Sequence, residues 1–473
     1  MLKKIYNSSI LNSWMSNIIV IISMLIAIPV VITKLSIEAV NVWFLFATIV
    51  SLTQGIVLGF SSTFSRFISY VYAGVSLNEV HTLKDKKELI HGDINLLELE
   101  KILNVIKPLY LILSILFVFL LSIMGYYFLD KPISMMENSS EGWSAWYIVL
   151  ISSGIILYLN FYQVFLDGIN KIALVQRIIS IVNLFGLFVI LLVLIFIPSL
   201  FSITLIYQLI SMITFLTIAY FSSKNIKNLN LNIHILSFDK DIFLLIWATA
   251  KKSLYTTILA NIVKHISSII VAQLLSPAQS ASFQFTKRIF DVIERFTITT
   301  FQAKLPVFAR LRGRGDISSF TQLLLKTQYI TYFIFLLGYM SFLFFGNYIV
   351  NFIGSKVELY NELIVLFGFS VLITRWVGMN LAVSNQANSV IEHFVITLSS
   401  IIYFVLIYLF IDTLDFYIFP IAQLIAMLLI SPIIIKKVYP TYNTNFFSYE
   451  YKIFIPLILI MIIISYFGLL YIL

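Results

Sequence analysis

The chain has 473 residues, 60% hydrophobic and 11% charged, with a mean hydropathy of +0.99, far from the balance of a water-soluble domain. Its 31 basic residues against 22 acidic ones give a net charge of +9. The absence of cysteine excludes disulfides, thiol catalysis and cysteine-ligated metals.

Spans of about 20 apolar residues suit a hydrocarbon core of about 30 Å, and the sequence predicts them at 13–33, 41–62, 108–129, 146–166, 178–197, 199–221, 253–275, 280–303, 328–350, 361–383, 390–411, 416–435 and 453–472. The start carries Lys3 and Lys4, and no small-residue cleavage site follows the first apolar run, so that run reads as a retained span rather than a signal peptide. After the second span comes the longest polar stretch, Ser65 to Lys107, in which Leu77 to Ile106 mixes apolar and charged positions as a surface amphipathic helix would. Four spans follow. A second polar stretch, Ser222 to Lys252, has the same mixed character from Asp239 to Lys252.

The seventh span carries a polar stripe of Thr257, Asn261, Lys264, His265 and Ser268 at helical spacing. The eighth carries Lys287, Arg288, Asp291, Glu294 and Arg295, and hydropathy alone would discard it. Parity retains it, because without that crossing Lys304, Arg310, Arg312, Arg314, Lys436 and Lys437 would all move to the outside. With the N-terminus in the cytoplasm, 23 of the 31 basic residues fall inside and only Lys34, Lys131 and Lys356 outside. The other five, Lys264, Lys287, Arg288, Arg295 and Arg375, lie within spans. The net positive charge is thereby explained by topology and anionic headgroups, and no nucleic-acid partner is expected.

An ionised side chain at mid-bilayer costs at least about 2.5–3.5 kcal/mol, so the charged eighth span must face protein or water. Arg288, Asp291 and Arg295, at i, i+3 and i+7, share one side of a helix, as do Lys287 and Asp291 at i and i+4. Two readings follow. The cationic residues could meet an anionic substrate such as a phosphate or pyrophosphate, which Arg binds in bidentate fashion and Lys as a point charge. Alternatively, Asp291 and Glu294 are internal partners that lock helices together. Asp291, Glu294 and His265 are the titratable groups placed to couple transport to ions. No metal site and no cofactor are expected.

Six spans precede the Ser222–Lys252 stretch and six follow it before Lys436, which predicts two parallel pseudo-repeats. The second span of each half leads into an arginine-bearing exit, Phe60 to Arg66 and Lys304 to Arg310. The fourth and fifth spans are joined by short polar turns, Asp167 to Lys171 and Ser384 to Asn388. The expected architecture is an all-α polytopic helical bundle: an N-terminal lobe of six helices over 1–222, a cytoplasmic linker with an amphipathic segment over 223–252, a second six-helix lobe over 253–438, and an extra C-terminal helix over 439–473.

Over roughly residues 1 to 440 the chain resembles the polysaccharide-type flippases of the multidrug, oligosaccharidyl-lipid and polysaccharide exporter superfamily, in particular bacterial O-antigen flippases. The resemblance is carried by the two lobes of six spans, the Gly55 to Arg66 end of the second span, the Leu166-Asp167-Gly168 turn, Lys264 and Arg288, and the Lys304 to Gly315 exit with Pro306. It implies a multi-pass protein of the bacterial inner membrane that flips undecaprenyl-pyrophosphate-linked oligosaccharide from the cytoplasmic to the outer leaflet by alternating access. It also implies that Lys264, Lys287, Arg288, Arg295 and Arg375 contact the pyrophosphate or acidic sugars, and that a polysaccharide polymerase and chain-length proteins are partners. The thirteenth span departs from relatives, which usually show twelve or fourteen.

The related drug exporters commonly carry an acidic residue in the first span, whereas Ser13 to Thr33 has none. A lipid II flippase is not separated from the first reading by charge. A membrane glycosyltransferase or polysaccharide polymerase would place catalytic groups in a sizeable external loop. The external loops here are short, and no Ser-His-Asp arrangement, HExxH, Walker A or GxGxxG element occurs, so an enzyme is not expected.

Overall fold

The computed structural model describes residues 9–74, 76, 94–233, 239–302, 304–305, 307–308, 311, 316–353, 357–386, 391–442 and 445–470. These form helices α1 (Ser9–Lys34), α2 (Ile37–Tyr72), α3 (Leu96–Ser134), α4 (Ser139–Gly168), α5 (Ile172–Phe196), α6 (Leu200–Asn228) and α7 (Lys240–Leu274). The order continues with α8 (Pro277–Gln302), α9 (Ile317–Ile353), α10 (Asn361–Gln386), α11 (Glu392–Leu414), α12 (Ile418–Val438), the short α13 (Phe446–Glu450) and α14 (Phe454–Leu470). Helices α1 to α12 follow the twelve predicted repeat spans in order, and α14 is the extra C-terminal helix. Among the described residues, nine helical stretches are long and apolar enough to cross a membrane. The charged α8 is not one of them, yet it folds as a single helix at the predicted place.

Local chemistry explains many of the boundaries. Ser36, Asn95 and Asn138 cap α2, α3 and α4, each side-chain oxygen accepting from the backbone N–H three residues on. Ser199 and Ser202 form a reciprocal capping box on α6. At the other end, Asn170 and Asn230 adopt φ of 60° and 52°. Each closes its helix with paired backbone bonds, Lys171 N to Leu166 O at 2.8 Å and Leu231 N to Ile226 O at 3.2 Å. The turn predicted at Asp167–Lys171 is therefore a left-handed asparagine cap. Of its counterpart at Ser384–Asn388, Ser384 to Gln386 still belong to α10, and Ala387 and Asn388 lie outside the described residues.

Both stretches read as amphipathic are, where described, extensions of spans. Leu96 to Ile106 is the first part of α3, and Lys240 to Lys252 is the first part of α7. A helix already nucleated by its apolar half extends into the polar flank at little cost. Residues 77–93 lie outside the described residues.

The chain divides into two compact units, Met1–His265 and Ile266–Leu473, the division falling within α7. In unit 1, α4 is central, packing on α2, α3 and α6, while α1 packs on α5 and α5 on α6. In unit 2, α10 occupies the equivalent position, packing on α8, α9 and α12, with α11 on α12. The pairings of α4 with α2, α3 and α6 and of α5 with α6 recur in unit 2, displaced by six helices, which is the parallel pseudo-repeat.

Glycines set the close approaches. At Gly125 a Cβ would fall 2.2 Å from the Trp146 ring, so α3 admits that fully packed indole from α4. At Gly55 a Cβ would fall 2.3 Å from Asn261, and at Gly59 it would fall 3.2 Å from Leu254, so the Gly55-x-x-x-Gly59 stripe of α2 seats the first part of α7. That contact keeps α7 with unit 1 as far as His265. Outer faces carry large apolar side chains, including Phe119 at 62% and Tyr408 at 84% exposure, as helices bathed in lipid should.

Candidate functional site

The charged residues picked out in the spans fall on α7, α8 and α10. From Ser280 to Lys287 every residue of α8 is buried, including Ser280, Ser282, Gln284 and Thr286, so this polar run faces protein rather than lipid. Lys287 closes the run and donates from Nζ to Ser268 Oγ at 3.0 Å. Beyond it Arg288, Asp291 and Glu294 are half-buried, and Arg295 is exposed. This gradation follows helical phase, since Phe290, Val292 and Ile293 turn into the core of unit 2.

Arg375, buried in α10, places Nη2 at 2.7 Å from Glu294 Oε1 of α8. Its Nε is buried and has no hydrogen-bond partner among the described residues. One of the internal pairings weighed from sequence thus exists, and it joins two helices rather than two turns of α8. Lys287, Arg288, Asp291, Glu294 and Arg375 all belong to unit 2. Lys264 and His265 belong to unit 1, where Lys264 is exposed and His265 buried.

Counting Lys287, Arg288, Arg295 and Arg375 against Asp291 and Glu294, this part of unit 2 holds more positive than negative charge at membrane depth. In a low-dielectric setting such charges need partners or an anionic guest, and buried pairs alone gain little net energy. Unit 1 holds a polar cluster in which Ser61 Oγ lies 3.1 Å from Tyr110 OH and donates to Asn160 Oδ1 at 3.1 Å.

A second polar centre escaped the sequence reading. Glu450 in α13 is fully buried and accepts at Oε1 from Trp376 Nε1 at 3.0 Å and from the Tyr439 hydroxyl. Its Oε2 has no partner among the described residues. Burial pushes the Glu450 carboxyl above its usual 4.5, against the opposing effect of the bonds from Tyr439 and Trp376. Trp376 follows Arg375 in α10, so consecutive residues tie that helix to α8 and to the C-terminal segment. In sequence the sole signal was one acid inside the aromatic run Phe446 to Tyr451, which no periodicity would distinguish from a solvated loop.

The fold is that of a multi-pass helical membrane protein of two pseudo-repeated six-helix lobes, with charged residues gathered on α8 and α10 of the second. No family model matches the chain, and no curated protein matches it. Its fold is that of transporters of the MOP superfamily. It is similar to an inward-facing multidrug resistance MATE family transporter, with TM-score 0.64 and 15% identity over 89% of this chain and 95% of that one. An outward-facing MATE transporter gives TM-score 0.60 at 16% identity over 93% and 97% of the two chains. A MOP superfamily transporter from Pyrococcus furiosus, described as having a binding pocket of reverse polarity that suggests a different function, gives TM-score 0.60 at 14% identity over 93% and 98%.

Proposed function

We propose that this protein is a transporter, not an enzyme, that flips undecaprenyl-pyrophosphate-linked oligosaccharide from the cytoplasmic to the outer leaflet of a bacterial inner membrane by alternating access. The observation that carries this reading is the cationic excess of α8 and the middle of α10, where Lys287, Arg288 and Arg375 are drawn partly or wholly out of solvent beside Asp291 and Glu294. The pyrophosphate is the guest that such an excess suits, because the donors offset the cost of stripping its water while the polyprenyl tail stays in lipid. Asp291 and Glu294 keep affinity moderate, so that the headgroup can leave. With His265 they are also the groups through which an ion gradient would drive the cycle. Lys264 and Arg295 are the exposed members of the set. A polysaccharide polymerase and chain-length proteins are the partners this reading implies.

Similarity in fold to MATE transporters supports alternating access and equally accommodates an ion-coupled multidrug exporter. The lack of any acidic residue in α1 favours the anionic substrate. The Pyrococcus furiosus transporter is consistent with pocket polarity varying within this fold.

The deciding experiment is translocation of a labelled undecaprenyl-pyrophosphate oligosaccharide in proteoliposomes, with a cationic dye tested in parallel. Wild type should move the lipid-linked sugar, and Lys264→Ala and Arg288→Ala should not, while both variants remain folded in the membrane. Dye transport without sugar transport would install the drug-exporter reading. Normal sugar flux in both variants would remove the cationic site.

A further inference from the structure

Within unit 2, α9 and α14 lie side by side and run in the same direction. Their contacts rise together along both helices. Tyr332 meets Phe454 with ring centroids 5.7 Å apart, and the Tyr339 and Ser465 hydroxyls are 2.7 Å apart. Further along, Gly468 admits Leu343 so closely that a Cβ would fall 2.6 Å from it. Both helices therefore begin at the same membrane face.

Just ahead of the first contact each helix carries a lysine, Lys326 on α9 and Lys452 two residues before α14. The approach to α14 is held against α9, because the Tyr449 hydroxyl donates to Gln328 Oε1 at 2.8 Å. That bond brings the two lysines to the rim of one groove of about 460 Å³, lined by Leu325, Lys326, Tyr329, Ile330, Lys452 and Ile453. Both lysines are exposed, and so are Tyr329 at 61% and Ile330 at 42%. The rim thus offers two cations where the apolar helices begin, above an apolar floor, and no carboxylate lines it among the described residues.

We propose that this groove binds one anionic phospholipid, its phosphate between the Lys326 and Lys452 ammonium groups and an acyl chain against Tyr329 and Ile330. Lysine suits a phosphodiester as a mobile point charge, and lysines flanking an apolar span sit at headgroup depth. A free phosphate would satisfy the lysines and leave the apolar floor bare, so the shape selects the lipid. The site is separate from the charged centre of α8 and α10 and does not depend on what that centre transports. A lipid seated there bridges α9 to α14 and would fasten the C-terminal helix to its lobe.

The test uses the full-length protein, stripped of lipid in detergent and titrated with phosphatidylglycerol, phosphatidylcholine or inorganic phosphate, with retention read by native mass spectrometry. Each lysine should contribute roughly fivefold to affinity. The wild type should retain one phosphatidylglycerol in preference to phosphatidylcholine, and Lys326→Gln with Lys452→Gln should lower that preference about 25-fold. Lys436→Gln with Lys437→Gln, at the end of α12, should keep it. Equal retention of the two lipids, an unchanged double variant, or inorganic phosphate binding as tightly as phosphatidylglycerol would each overturn the assignment. Because both lysines are exposed, the double variant should fold, which an unchanged thermal transition would verify. As an independent readout, a photoreactive phenylalanine analogue replacing Ile330 should cross-link phosphatidylglycerol in the wild-type background and lose that cross-link when both lysines are neutralised.

Discussion

Arg375 of α10 and Glu294 of α8 form an ion pair, 2.7 Å apart, that ties two helices together. Removing one partner leaves the other charge buried without compensation, so Arg375→Met or Glu294→Gln alone should destabilise the protein by roughly 3 kcal/mol. Arg375→Met with Glu294→Met should recover most of that loss in thermal unfolding in detergent. If the double variant also recovers transport, the pair is a strut. Persistent loss of transport at recovered stability would instead assign Arg375 to the substrate path. Glu450 makes a pH prediction of definite sign. Its folded-state pKa is raised above 4.5, so its stabilising contribution is complete below that value and is lost as pH rises through the raised folded value. Thermal stability should fall over that range, and Glu450→Gln, which keeps an acceptor for Trp376 and Tyr439, should flatten the dependence.

At the scale of elements, helix ends and glycine contacts carry the specificity that hydropathy lacks. Gly125→Ala should drive a methyl group into the Trp146 ring and cost about 1–3 kcal/mol, the usual range for an overpacked core. Trp146→Phe in the same chain should relieve part of that loss, and a double-mutant cycle by chemical denaturation would measure the coupling. A lack of coupling would mean that α3 and α4 adjust their spacing freely. The Gly55 and Gly59 stripe was quoted from sequence as part of the second span. Its use as the seat for α7 depends on Asn261 and Leu254, nearly 200 positions away.

For the whole molecule, topology is directly testable because the chain has no cysteine to interfere. Single substitutions Glu137→Cys and Asp412→Cys should react with an impermeant maleimide from outside intact cells. Asn228→Cys and Lys437→Cys should react only after permeabilisation. Leu470→Cys should behave like Glu137→Cys, since α14 runs parallel to α9. Protection of Leu470→Cys in intact cells would show that α14 does not cross.

Much of this architecture was legible in the sequence. A bilayer imposes one length and one polarity on every crossing helix, so the twelve repeat spans, the extra helix and the six-plus-six repetition could be read from hydropathy and parity. Even the charged α8 was placed correctly, because charge alternation constrains segments that hydropathy rejects. The intramembrane cations were visible for the same reason, being costly residues where apolar ones were required. The partners of those charges were not legible. Arg375 meets Glu294 across 81 positions and Trp376 meets Glu450 across 74, pairings set by which faces of packed helices oppose one another. The groove between Lys326 and Lys452 is of the same kind, since each lysine alone is an ordinary charge flanking an apolar span. Sequence by itself determined which segments must be helices in lipid and which residues are anomalous there. Only tertiary structure decided which anomalies meet, because side-chain contact depends on helix rotation and register, and the local pattern fixes neither.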